Sequence, residues 1–277
     1  MGLFPFGGFP WNDVGYTSLF STYFAQIASL GGLYFVSFVV VLIALLPIYY
    51  KSKYGRIYGA ALIVLPFVYG VLHVNDVSFS NKTATIIQPN IQQSMKWDPA
   101  RASINFFDII AQSAKSNSDF TIWPESSVPY PIERHPQVLN AIAEATVNGK
   151  VTIASSSRIL GDYEKVWNSL YVVDSSAKIL DYYDKHHLVP FGEYVPMRSV
   201  LPIDKITPGM MDFSSGTSGK VLQINGSKIL PLICYEVIFP KYAFGDYDFI
   251  VNITNDAWFG NSTGPRQHLA MAQMRAI

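Results

Sequence analysis

Hydrophobic and polar positions follow two different regimes along this chain. Residues 28–50 are apolar apart from two serines and carry no charge, and Ile57–Val74 is a second uncharged run. Lys51, Lys53 and Arg56 lie between them. About 20 apolar residues in a helix cross a bilayer, so the pattern predicts two transmembrane helices, about 28–50 and 57–74. Tyr49, Tyr50, Tyr54 and Tyr58 cluster at the intervening turn, as aromatic residues do at a membrane interface. Val14–Ile27 is aromatic and mildly amphipathic, a pattern that suits a membrane surface. Met1–Trp11 is rich in glycine, proline and aromatics and lacks the basic start of a signal peptide. The positive-inside rule puts the Lys51–Arg56 loop in the cytoplasm and everything after Asn75 on the other side.

From Asn81 onward short apolar runs alternate with helical patterns. Thr83–Gln88, Phe120–Trp123, Val151–Ser155, Ser169–Asp174, Lys178–Tyr183, Lys220–Gln223, Lys228–Ile233 and Asp248–Ile253 read as strands. Two hairpins are expected, one across Ser175–Ser176 and one turning at Asn225–Gly226. Asp98–Pro99 is an N-cap followed by a first-turn proline, and the helix behind it is expected to bury Ile104, Phe107, Ile110, Ala111 and Ala114. Pro136 opens a second helix with Leu139, Ile142 and Thr146 on one side, and Gly264–Pro265 opens a third that runs to Ile277. The expected organisation is a membrane segment over 1–75 and an α/β domain over 76–277, with no strand closing it after the last helix.

Composition agrees with a membrane-associated part. Charged residues are only 14%, and the mean hydropathy is +0.20. The 20 basic and 20 acidic residues cancel, leaving no basic excess for nucleic acid. Cys234 is the only cysteine, which excludes an internal disulfide and leaves two roles, inert filler or reactive thiol.

Three strand ends carry reactive groups. Trp123-Pro124-Glu125-Ser126-Ser127 places a carboxylate after one strand, and Asp184-Lys185-His186-His187 places an amine after another. Leu232-Ile233-Cys234-Tyr235-Glu236 places the thiol after a third. C-terminal strand ends are where α/β sheets expose their chemistry. Each residue also has a plain reading: Glu125 as a helix-start cap, Lys185 as a solvated charge, Cys234 as core. His186 and His187 do not make a metal site, because adjacent histidines project apart and no ligand set completes them. His268, on the last helix, reads as a structural hydrogen-bonder.

WPESS, YDKHHLVPFGEYVP and LICYE, in that order, resemble the carbon–nitrogen hydrolase (nitrilase) superfamily with its Glu-Lys-Cys triad. Within it, GFPW at 8–11, the apolar runs, IQPNIQQSMKWDP at 87–99 and NDAWFGNSTGPRQHLAMAQMRA at 255–276 are similar to the apolipoprotein N-acyltransferase family. The resemblance implies a nitrilase-like αββα sandwich preceded by transmembrane helices. It also implies an enzyme of the bacterial inner membrane whose catalytic domain faces the periplasm. Glu125, Lys185 and Cys234 would be catalytic, with Glu125 the base and Lys185 the cation stabilising thiolate and oxyanion. Glu193, Tyr235 and Glu236 would support them, the Tyr235 amide as an oxyanion donor, and Trp97 would lie near the substrate entrance. The expected partners are a phospholipid acyl donor and a diacylglyceryl apolipoprotein acceptor, with no cofactor. Members of the family have further membrane helices and closing strands, so the resemblance implies a fragment lacking both ends. A soluble amidase using the same triad, and a non-catalytic membrane protein keeping the fold, are the alternatives.

Overall fold

The computed structural model describes residues 9–74, 80–197, 200, 205 and 211–277. The start of the glycine- and proline-rich stretch (1–8) and the junction at Asn75 lie outside them. The chain forms two compact units, one over 81–262 and one made of residues 9–74 with 263–277.

The helical unit contains α1 (Thr22–Ala25), α2 (Ala28–Ala44), α3 (Leu46–Tyr49) and α4 (Lys53–Val74). The expected helix over 28–50 is therefore interrupted. Gly31 and Gly32 leave helical geometry, Gly32 at φ 70°, and the chain resets after Leu45, where Pro47 in the first turn of α3 has no N–H to continue the ladder. The second helix starts a turn earlier than expected and includes Lys53. By length and composition α4 suffices to cross a membrane, with 17% of its apolar window buried, whereas α2 is a shorter apolar helix. Gly70 sits so close to α1 that a Cβ would overlap the Tyr23 carbonyl. Phe24, Ala25, Ile27, Leu33, Val36 and Val39 form the core of this unit, joined by Met274 from the closing helix. That helix, from Gly264 to Ala276, groups here rather than with the α/β unit.

The α/β unit is built on two sheets. The first has the order β1 (Ala84–Ile86), β2 (Phe120–Ile122), β3 (Val151–Leu160), β4 (Lys165–Asp174), β5 (Ile179–Asp184). β1, β2 and β3 are parallel, and β4 and β5 follow antiparallel. The second sheet has β6 (Leu222–Ile224) antiparallel to β7 (Ser227–Ile233), and β7 parallel to β8 (Phe249–Ile253). Ile224 faces Ser227 across Asn225 (φ 51°) and Gly226 (φ 77°), the left-handed pair a two-residue hairpin requires.

Strand alternation sorts the core into layers. Val151, Ile153, Leu170, Val172 and Tyr183 face one way and meet Leu222, Ile229, Ile233, Val251 and Ile253 of the second sheet. Ala154, Tyr171 and Val173 face the other way, against α6 (Pro99–Ser113) and α7 (Pro136–Glu144). A four-residue helix, α5 (Gln93–Lys96), precedes α6.

The buried face of α6 differs from the expected one. Phe106, Ile109 and Ser113 are buried, while Ile104 is 51% and Phe107 60% exposed. Apolar residues occupy two adjacent faces of this helix, Ile104, Phe107 and Ala111 on one and Phe106, Ile109 and Ile110 on the other, so period alone allows either. Trp123 selects between them: its Nε1 donates to Ser113 Oγ at 2.7 Å, and its ring meets Phe106 edge-on. On α7, Val138 and Ala143 join Ile142 in the core, Leu139 packs at its margin, and Thr146 Oγ1 pairs with Thr152 at 2.7 Å.

Candidate active site

The C-terminal ends of β2, β5, β7 and β8 converge on one polar cluster beside the apolar layer between the two sheets. Glu125 lies three residues past β2, Lys185 follows β5 directly, and Cys234 follows β7 directly. Lys185 shares the side of its strand with Tyr183, so alternation carries it inward between the sheets. Asn168 shares the inward parity of Leu170 and Val172 on β4.

Lys185 is the hub. Its side chain is 1% exposed, and its Nζ lies 3.0 Å from Glu193 and 3.8 Å from Glu125 Oε1. Burial alone would depress this ammonium, but Glu193, Glu125, Cys234 and Glu236 together hold its pKa above the ordinary lysine value. Asn168 Nδ2 bridges the two carboxylates, donating to Glu125 Oε1 at 2.7 Å and to Glu193 Oε1 at 3.0 Å. The backbone N–H of Asn255 donates to Glu125 Oε2 at 3.0 Å, and that of Val189 to Glu193 Oε2 at 2.8 Å. Both carboxylates are thus held by hydrogen bonds from fixed donors.

Glu236 joins the nucleophile turn to the lysine loop. It is fully buried and accepts from Tyr183 OH (2.8 Å), His186 N (2.8 Å), His187 N (3.0 Å) and Ile233 N (2.7 Å). Every partner is a donor, which suits a carboxylate, although burial pushes its pKa up. Tyr235 turns its side chain into an aromatic cluster with His187 and Phe239. Burial and the nearby Lys241, His186 and Lys185 charges push the His187 pKa down to about 4, so that ring is neutral at pH 7.

Cys234 is the first residue of a 3-10 turn and has φ 52°, a left-handed value that costs a non-glycine residue about 1–2 kcal/mol. Ser126 (φ 51°), beside Glu125, and Phe191 (φ 62°), near Glu193, are strained in the same way. Burial, reinforced by the Glu125 charge, raises the Cys234 pKa, while Lys185 and a hydrogen bond with Thr254 pull it down. The resting group is therefore a neutral thiol with a cation beside it. Trp97 caps α5 and is 42% exposed, outside the buried cluster.

Glu125, Lys185, Glu193 and Glu236 thus form one connected network, the Glu125 and Lys185 charges reach Cys234, and Tyr235 follows the thiol in the chain. The sequence reading missed Asn168, Asn255 and Lys96. An asparagine in the middle of a β-branched and aromatic strand was the available signal for Asn168. Lys96 and Asn255 stand inside the motif stretches but look like ordinary loop polars.

A thiol, a carboxylate and a lysine thus follow convergent strand ends of an α/β sandwich. The carbon-nitrogen hydrolase family model matches residues 83–277, and the chain belongs to that family. The model of the apolipoprotein N-acyltransferase N-terminal domain matches residues 1–46. Two curated relatives are apolipoprotein N-acyltransferases. The one from Rickettsia typhi is 35% identical over 98% of this chain and 58% of its own length. The one from Allorhizobium ampelinum is 35% identical over 98% of this chain and 56% of its own length. The chain therefore spans a little over half the length of these relatives.

Proposed function

We propose that this protein is a membrane-anchored N-acyltransferase. It takes a fatty acyl chain from a phospholipid onto Cys234 as a thioester and passes it to the α-amine of the diacylglyceryl cysteine that begins an apolipoprotein. The observation that carries the reading is the Cys234 thiol on a strained turn, under the charges of Glu125 and Lys185. The similarity to apolipoprotein N-acyltransferases at both ends of the chain, and the exposed apolar helix α4, favour lipid substrates over small soluble amides.

In the first half-reaction Glu125 takes the thiol proton as the sulfur attacks the ester carbonyl, forming a C–S bond. The oxyanion is stabilised by the Lys185 ammonium and the Tyr235 N–H. The C–O bond then breaks, and the lysophospholipid alkoxide leaves with the proton held by Glu125. In the second half-reaction the acceptor amine attacks the thioester, Glu125 takes a proton from the nitrogen, and the C–S bond breaks. The thiolate recovers that proton, which closes the cycle. Glu193 and Asn168 hold Lys185 and Glu125 in register, Glu236 ties the thiol turn to the lysine loop, and Trp97 lies at the substrate entrance. Lys51, before α4, and Lys53 and Arg56, in its first turn, favour the cytoplasmic side for that end of the helix, with the α/β unit in the periplasm of a bacterial inner membrane.

Intact-mass analysis tests the mechanism. Wild-type protein given phospholipid without acceptor is expected to gain one hydroxylamine-sensitive acyl group, which a diacylglyceryl-cysteine peptide then discharges. Cys234→Ala should gain none. Acyl transfer by Cys234→Ala at near wild-type rate would remove the thiol from the mechanism. Discharge by water as fast as by the peptide would mark a hydrolase.

A further inference from the structure

Lys96 is a second buried cation, held on the backbone of Glu125, and none of the roles above uses it. It ends α5, the residue before the half-exposed Trp97, and its side chain turns inward and is buried. Its Nζ donates to the backbone carbonyl of Glu125 at 2.8 Å. With its oxygen turned toward the donors around it, the Asn255 amide accepts from Lys96 Nζ at 3.1 Å and from Trp258 Nε1 at 3.2 Å. Asn255 also supplies the N–H that fixes Glu125 Oε2. Lys96 therefore grips the segment after β2 and the segment after β8 together, with the base between them.

Resting on the reading of Cys234 as nucleophile, we infer that Lys96 is a further positioning residue. Through its hydrogen bonds it sets the Glu125 segment, and through its charge it eases formation of the Cys234 thiolate. A buried ammonium needs such a use, because removing a lysine charge from water is costly unless it is matched. The charged groups that act on it are Glu125 and Cys234, with Lys185 and Glu193 one contact further through Glu125. Burial pulls the Lys96 pKa down to about 8, against the opposing pull of Glu125 and Cys234. Lys185 moves the other way. The two lysines thus divide the work, one charged throughout and one that loses its charge just above neutrality.

The experiment follows alkylation of Cys234, the only thiol, by iodoacetamide from pH 6 to 10 in the detergent-solubilised full chain, read by intact mass. Below pH 8, Lys96→Met is expected to react about tenfold more slowly than wild type, the effect of losing one nearby cation from a thiol. The two rates should converge above pH 9, where wild-type Lys96 has also lost its proton. Lys96→Arg keeps the charge and should restore the rate at neutral pH to within about threefold. A rate ratio that does not change with pH, equal rates throughout, or no rescue by arginine would overturn the inference, since a purely structural role predicts no convergence. A wild-type thiol inert at every pH would instead overturn the nucleophile reading itself, and this inference with it.

Discussion

Replacing Lys185 with methionine is the most informative single perturbation of this site. The two side chains have similar volume, so the change removes charge and donors without opening a large cavity. Lys185 Nζ is 3.0 Å from Glu193 and 3.8 Å from Glu125, and all three side chains are buried. Removing one partner of a buried ion pair costs about 3–5 kcal/mol, because the charge left behind is uncompensated. Two carboxylates are left behind here, so the variant's folded state should bind one proton more than its unfolded state around neutral pH. Stability falls with pH wherever the folded state holds the extra proton, by about 1.4 kcal/mol per pH unit for one proton. Wild type behaves otherwise. Its Lys185 pKa is raised above 10.5 in the folded state, so that contribution is complete below pH 10.5 and lost only as pH rises beyond it. The difference between wild type and Lys185→Met should therefore be about 4 kcal/mol at pH 8 and, at about 1.4 kcal/mol per pH unit, shrink to roughly 0.5 kcal/mol at pH 5.5. Guanidinium unfolding in detergent, followed by tryptophan fluorescence, measures both points. A difference below 1 kcal/mol at pH 8, or one independent of pH, would refute the view that Lys185 holds this carboxylate pair in place.

Two further outcomes are expected. Glu236→Gln must turn an amide N–H toward at least one of the four donors Glu236 now accepts from, so it should lose about 2–3 kcal/mol of stability and at least tenfold in the rate of Cys234 acylation. Unchanged denaturation midpoint and rate would show that the turn does not depend on Glu236. For orientation, a reporter fused after Asn75 should be active only outside the cytoplasm and one fused near Lys53 only inside, and the reverse pattern would defeat the periplasmic assignment.

The sequence by itself determined what local chemistry decides. Asn225–Gly226 names its hairpin because few residues other than glycine and asparagine accept left-handed φ at both turn positions, and β6 and β7 meet there. Asp98–Pro99 starts α6 because the aspartate caps the first free N–H and the proline needs none, with Asp98 Oδ1 accepting from Ala100 N at 2.9 Å. Glu125, Lys185 and Cys234 each had a plain reading alone and were legible as candidates together, because each follows a predicted strand inside a stretch that resembles the carbon–nitrogen hydrolases.

The tertiary structure decided everything that depends on what packs opposite. Period could not choose between two apolar faces of α6, and Trp123 with Ser113 did. The run over 28–50 read as one helix by hydropathy, although its two adjacent glycines and its proline were visible in the sequence and act locally to divide it. Lys96 and Lys185 look alike in the sequence. Only the fold buries both, places Lys185 between two carboxylates and Lys96 against a backbone carbonyl, and so drives their pKa values in opposite directions. Burial and the distance to a counter-charge set those shifts, and neither quantity exists until strands far apart in the chain are brought together.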